Sequence, residues 1–216
     1  IYIDTAIYVY DFTSEQWAQF QLYNPTTSHS GTNTGGVLYA DAIEFDHSGE
    51  YLMYDAYNEL TTAEGEPISF WDIGFIRIWD NETGDFGDGS IAKLFGSLPE
   101  EISVGNPVFS KNSPNIIAFD YIDAYEEQFA IVGADLLSGE VGVITMNTRP
   151  GFPSFSKSDD RILFDYEDPV NYPEYEDIVA YIGLGQNKIT GQGDPVPLIA
   201  DATWGVFYAN GTRDLE

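Results

Sequence analysis

The stretch Pro153-Ser154-Phe155-Ser156-Lys157-Ser158-Asp159-Asp160-Arg161-Ile162-Leu163 decides the architecture. It reads as Pro or a small residue, one spacer, a large aromatic, a polar turn and a short apolar strand. Three further segments align on the same aromatic: Ala42 to Leu52 about Phe45, Pro107 to Ile117 about Phe109 with the turn one residue longer, and Gly205 to Leu215 about Phe207. The anchors lie 64, 46 and 52 residues apart. The first three copies run on to an aromatic followed by an aspartate: Tyr54-Asp55, Phe119-Asp120 and Phe164-Asp165. A repeat of roughly 40–50 residues with about four short strands is the unit of a β-propeller blade. One such sheet cannot bury both of its faces, and stacking like sheets buries them against neighbours. The four anchor rings are therefore expected at equivalent interior positions.

Outward from the repeat, the apolar pattern has period two. Ala40 to Phe45 and Phe75 to Trp79 alternate. Tyr51 to Tyr54, Ile116 to Phe119, Phe129 to Val132, Val141 to Thr145, Arg161 to Phe164 and Ile178 to Ile182 are short β-rich runs bounded by Gly, Asn, Asp or Pro, as strands are. Thr13 to Phe20 and Ile91 to Leu98 are the two candidate helices, and the first suits a turn plus strand better. Long helical crossovers, which a parallel α/β sheet needs, are missing. Gly49 and Asn210-Gly211 supply residues for tight turns with positive φ.

The fold class is all-β: a β-propeller of four-stranded antiparallel blades, about four blades' worth of sequence. Three whole repeats (37–98, 101–146, 149–199) are flanked by an outer half blade at 1–23 and an inner half blade at 200–216, in one domain spanning 1–216. In the first half blade, Ala6 to Asp11 fits a third strand and Trp17 to Leu22 a fourth. In the first whole repeat, 56–67 is expected to be a long loop between strands. Two closures fit: the half blades meet in one composite blade, or the chain is part of a larger propeller. A twisted β-sandwich is the competing architecture. The start at Ile1, inside a strand-like run, reads as a processed or trimmed start, and Leu215-Glu216 as a cloning remnant.

The repeats resemble the TolB-like, WD40-like β-propeller family, whose blades carry a P-x-(F/W)-S-x-D-G-x-x-(I/L)-x-(F/Y) signature. The nearest copies are Pro107-Val108-Phe109-Ser110 and Pro153-Ser154-Phe155-Ser156, with Asp159 or Asp160 in the turn. His47-Ser48-Gly49 and Asn210-Gly211 take the turn in the other two. The resemblance covers residues 42 to 215. It departs in that no copy has a complete Asp-Gly turn, and Pro114-Asn115 replaces it in the second. Such relatives are chiefly periplasmic or secreted interaction modules, or noncatalytic propellers attached to serine peptidases. The resemblance thus implies binding more readily than chemistry.

Composition narrows the function classes. The 216 residues hold 36 Asp and Glu against 8 Lys and Arg, for a net charge of −28. Such a field repels nucleic acid and anionic membrane. No apolar run is long enough to span a bilayer as a helix. Without cysteine there is no disulfide framework, thiolate nucleophile or Cys-ligated zinc. Strong acidity suits extracellular or periplasmic life.

Several residues invite a chemical reading. Asp80, Glu82, Asp85 and Asp88 lie on a Gly-rich loop of the kind that offers oxygen ligands, so calcium is the candidate cofactor. It lacks a helix-flanked calcium loop's pattern, and a solvated acidic loop is the plainer reading. Asp123, Tyr125, Glu126 and Glu127, and the segment Asp168 to Asp177 with Tyr172, Glu174, Tyr175 and Glu176, mix tyrosine with carboxylates in a way that suits a cationic partner or sugar. His29 and His47 have no identifiable nucleophile and orienting acid, and there is no G-x-S-x-G elbow and no P-loop. Trp17, Trp71, Trp79 and Trp204 read as packing. The expected function is a noncatalytic recognition scaffold for a protein or carbohydrate partner outside the cytoplasm. The alternatives are a glycan hydrolase or lyase using paired loop carboxylates, or an accessory domain of a larger extracellular protein.

Overall fold

The computed structural model describes residues 5–25, 34–61, 64–96, 98–99 and 101–208. The chain divides into two compact units, 1–105 and 106–216. Among the described residues no helix is long and apolar enough to cross a membrane.

In the first unit, β1 (Ala6–Asp11) and β2 (Gln16–Gln21) form an antiparallel hairpin. Alternation divides it: Ile7, Val9, Ala18 and Phe20 face inward, while Tyr8 and Trp17 are exposed on the other side. β3 (Thr34–Phe45), β4 (Tyr51–Thr61), β5 (Pro67–Arg77) and β8 (Ile91–Lys93) make a four-stranded sheet in that order. A small hairpin, β6 (Trp79–Asp80) with β7 (Asp85–Phe86), interrupts it between β5 and β8. The inward side of the β1–β2 hairpin joins Leu52, Tyr54, Ala56, Ile76 and Ile78 of the unit in one apolar cluster.

The boundary between units falls inside β9 (Ile102–Phe109). β9, β10 (Ile116–Asp123), β11 (Gln128–Asp135) and β12 (Val141–Asn147) are successive neighbours in a second four-stranded sheet. β13 (Ser154–Phe155), β14 (Arg161–Tyr166), β15 (Ile178–Leu184) and β16 (Gly191–Ala200) form a third. Within the second unit Ile116, Ala118, Ile131 and Ile144 of one sheet share a core with Phe155, Ile162, Phe164, Ala180 and Ile182 of the other. Glycines allow the close approach. A Cβ on Gly133 would lie 2.6 Å from Ile189 Cα, one on Gly142 2.7 Å from Ile189 O, and one on Gly191 2.0 Å from Ile144 O. Gly133 and Gly142 are cross-strand partners, so together they leave a flat site for the main chain at Ile189.

Each four-stranded sheet comes from one continuous stretch of chain, with strands in sequence order. A sandwich would exchange strands between its two sheets by Greek-key connections. Consecutive four-stranded meanders are the blade pattern. The hairpins that defined the repeat match in detail. Asp46 N donates to Tyr51 O, Ser110 N to Ile116 O and Ser156 N to Arg161 O, with the second turn one residue longer, as its sequence requires. Gly49 takes φ 76°, and Asp159 takes φ 53° at the aligned position of the third copy.

Several expectations are corrected. Phe109 and Phe155 are fully buried, but Phe45 is 53% exposed and Phe207 is half-buried. Phe45 sits on an edge strand, and the hairpin covering that face is only two strands wide; its cluster reaches Val37 and Ala40 of β3 and stops short of Phe45. The long loop expected at 56–67 is mostly strand, since β4 runs to Thr61 and β5 starts at Pro67. Asn58 is held inside the sheet: it is buried and donates to Ala56 O and to Asp72 Oδ1. Ile91 opens the fourth strand that a blade needs near Ile91 to Phe95, and the helix candidate at Ile91 to Leu98 falls. His29, Asn210-Gly211 and the ends 1–4 and 209–216 lie outside the described residues.

Candidate functional site

The aspartates that close each repeat are the first group of buried charge. Asp55, Asp120 and Asp165 are all within 2% of complete burial. Asp120 accepts hydrogen bonds from Gly151 N at 2.9 Å, Phe152 N at 3.1 Å and Asn106 Nδ2 at 2.8 Å. Asp165 accepts one from Trp204 N at 2.7 Å. Asp55 lies where a Cβ on Gly105 would meet its Oδ2 at 3.1 Å. The acceptors serve a strained feature that recurs in register. Three residues before each anchor ring the chain is left-handed: Ala42 (φ 36°), Asn106 (50°), Phe152 (48°) and Trp204 (55°). None is glycine, so each conformation costs about 1 kcal/mol or more and needs an external hold. In the second unit the aspartate ending one repeat supplies that hold for the start of the next.

Burial pushes the Asp120 carboxyl from 3.8 up to about 6, against the pull of its three donors, and Asp165 adds to the rise. Asp165 is raised for the same first reason. An acid whose pKa is higher folded than unfolded keeps its proton better when folded, so its contribution to stability is complete below about pH 4 and is lost as pH rises through 6. For Asp120 the loss amounts to about 3 kcal/mol. Carboxylates with lowered pKa, such as half-buried Asp135 and exposed Asp160, act in the opposite sense, so a difference measurement isolates the effect. Urea unfolding of wild type and Asp120→Asn from pH 4 to 7.5 is expected to show the variant gaining on wild type across that window; parallel curves would contradict it.

Two other buried networks are also structural. Asp159 accepts from Lys111 N, Asn112 N and the Ser110 hydroxyl at 2.6, 2.8 and 3.2 Å, with Lys188 Nζ at 3.7 Å. It thereby ties the turn of one sheet to the turn of the next. In the first unit Lys93 Nζ bonds Asp72 Oδ1 at 2.6 Å and lies 5.8 Å from the centre of the Tyr54 ring. Burial holds Lys93 below its usual range while Asp72 opposes the shift. Burial also raises the Tyr54 phenol, with Asp72 adding to it. Gly74 leaves room for that ring, since a Cβ there would lie 2.6 Å from the Tyr54 hydroxyl.

The sequence-predicted sites behave differently. Three of the four acids proposed for calcium are used one by one in turns. Asp80 Oδ1 accepts from Glu82 N and Thr83 N, and its Oδ2 pairs with Arg77 at 3.0 Å. Asp85 accepts from Phe86 N and Asp88 from Ser90 N, while Glu82 is exposed. Among the described residues no group of three or more acids or histidines is gathered for a metal ion. Asp123 caps its own turn through Tyr125 N and Glu126 N, leaving the Tyr125 ring exposed. Asp168 does likewise for Val170 and Asn171, and Asp177 pairs with Arg149 at 2.6 Å.

Sequence reasoning missed the most exposed aromatic surface by reading tryptophan as packing. Trp71 and Trp79 are half-buried, but Trp17 is 69% exposed and Trp204 is exposed too. On the outer side of the β1–β2 hairpin Tyr10 lies opposite Trp17 in register, with ring centres 4.7 Å apart. Phe12, 87% exposed, stands edge-on to Tyr10 at 5.0 Å, and Tyr8 adds a further exposed ring. The signal in the sequence was Tyr8, Tyr10 and Phe12 at alternate positions opposite apolar Ile7 and Val9.

No family model matches the chain, and no curated protein sequence matches it. Among solved structures it is similar to TolB from Acinetobacter baumannii, with 14% identity and a TM-score of 0.40, over 90% of this chain and 49% of that one. A structure from an analysis of two prolyl endopeptidases matches at 16% identity and a TM-score of 0.42, over 72% of this chain and 23% of that one. Oligogalacturonate lyase from Vibrio parahaemolyticus matches at 11% and 0.36, over 89% and 59%. The chain thus spans about half the length of TolB and less than two thirds of the others. The three four-stranded meanders themselves define the propeller-type, all-β fold.

Proposed function

We propose that the protein is a noncatalytic recognition scaffold that engages a protein or carbohydrate partner outside the cytoplasm. The observation that carries this reading is the ring cluster Tyr8, Tyr10, Phe12 and Trp17, displayed on a hairpin whose other side is anchored in the core. Aromatic rings bury large area on contact at low conformational cost, as recognition surfaces require. Two of the buried carboxylates support it from the other side, because Asp120 and Asp159 each spend both oxygens on protein donors. Acidity and the TolB-like resemblance favour a place outside the cytoplasm.

The test is calorimetric titration with a panel of oligosaccharides and peptides, run beside an assay for cleaved product. Saturable binding without turnover, lost in a Phe12→Ala, Trp17→Ala double variant that melts like wild type, is expected. Turnover of a glycan, or binding indifferent to the double variant, would overturn the reading.

A further inference from the structure

We propose that the aromatic side of the β1–β2 hairpin docks an arginine- or lysine-rich segment of a partner polypeptide. The inference rests on the reading of that face as the recognition surface and adds the chemistry of the occupant. Charge selects it. Residues 1–76 contain 12 Asp and Glu and not one Lys or Arg. The whole chain carries −28, so a second copy is repelled, as is any polyanion. A neutral glycan gains nothing from this field.

The local groups match a cation. The Tyr10 ring has Phe12 on one side and Trp17 on another, at 5.0 and 4.7 Å. Ring faces attract guanidinium and ammonium groups, and a guanidinium also stacks flat on them. Carboxylates flank the rings in the hairpin turn. Asp11 accepts from Thr13 N and Ser14 N at 2.9 and 3.0 Å, which fixes it beside Phe12. The Ser14 hydroxyl contributes most to holding its pKa below the usual range, followed by the Thr13 amide. Glu15 projects from the same turn, exposed and left-handed at φ 56°. An arginine side chain laid along the rings would reach carboxylates in the turn, whereas on a bare acidic surface it would find charge alone.

The experiment measures affinity for a short Arg-Gly repeat peptide near physiological salt, with a Glu-Gly peptide, a malto-oligosaccharide and a cello-oligosaccharide as comparisons. The Phe12→Ala, Trp17→Ala double variant has unchanged net charge. It is expected to bind the Arg-Gly peptide about tenfold more weakly. Trp17→Phe, which keeps a ring, should restore most of the loss, and Tyr125→Ala should have no effect. Unchanged affinity in the double variant would mean diffuse charge attraction and would overturn the proposal. An oligosaccharide bound through Phe12 and Trp17, with the peptide indifferent to them, would overturn the cationic occupant and leave the recognition surface standing. If no probe responds to the double variant, both readings fall. Self-association of wild type abolished by the double variant would overturn the proposal in favour of a second copy.

Discussion

Gly191→Ala is expected to destabilise the second unit by about 3 kcal/mol or more, or to prevent its folding. The added methyl would stand 2.0 Å from Ile144 O and 3.0 Å from Ile144 C. Both are main-chain atoms of β12, at the residue that bulges between the paired Val143 and Thr145. No rotamer change relieves the clash, so the two stacked sheets must separate. Separation opens the core shared by Ile131, Ile144, Phe155, Phe164 and Ile182. Denaturant midpoints with unchanged slopes would measure the loss. Gly96→Ala is the control, because a Cβ there meets nothing within 4 Å and should shift stability by no more than about 0.5 kcal/mol. Equal behaviour of the two variants would mean that the sheets do not meet at Gly191.

Asp120→Ala is expected to cost about 3 kcal/mol or more at pH 7. It leaves Gly151 N, Phe152 N and Asn106 Nδ2 without their shared acceptor, the first of them buried. It also releases Asn106 and Phe152, both of which are left-handed. Asp120→Asn keeps one oxygen and should lose less than the alanine variant. The ordering decides between roles. A residue that merely fills space would show alanine and asparagine alike, whereas an acceptor that holds the repeat junction shows asparagine between alanine and wild type. Thermal and denaturant unfolding at pH 7 suffice.

Much of the fold was legible because strand alternation and turn residues are local signals. Phe155 with its polar turn and Ile162 predicted a hairpin, and Ser156 N to Arg161 O closes it. The same signal failed where polar side chains are buried in pairs. Asn58 reads as a loop residue, yet inside the first sheet it bonds Asp72, which also pairs with Lys93. A single sequence carries no mark of which distant polar residue satisfies another. Equivalence of the anchor rings failed for a related reason: whether Phe45 is covered depends on the width of the sheet lying over β3. The left-handed residue three positions before each ring was hidden too, because Ala42, Phe152 and Trp204 have no intrinsic preference for that conformation. Of the candidate surface, the aromatic content of residues 8–17 was plain, but its exposure follows from which side of the hairpin meets the core.

The account's central claim is that consecutive stretches of chain form like four-stranded sheets, and that the two of the second unit stack face to face in the manner of blades. Proton–proton Overhauser contacts test it most directly. The account predicts strong contact between the α-protons of Gly133 and Ile189, with antiparallel strand pairing in the second unit confined to neighbours in sequence, such as β10 with β11 and β14 with β15. Strand pairing between β10 and β14, or no contact between Gly133 and Ile189, would contradict it.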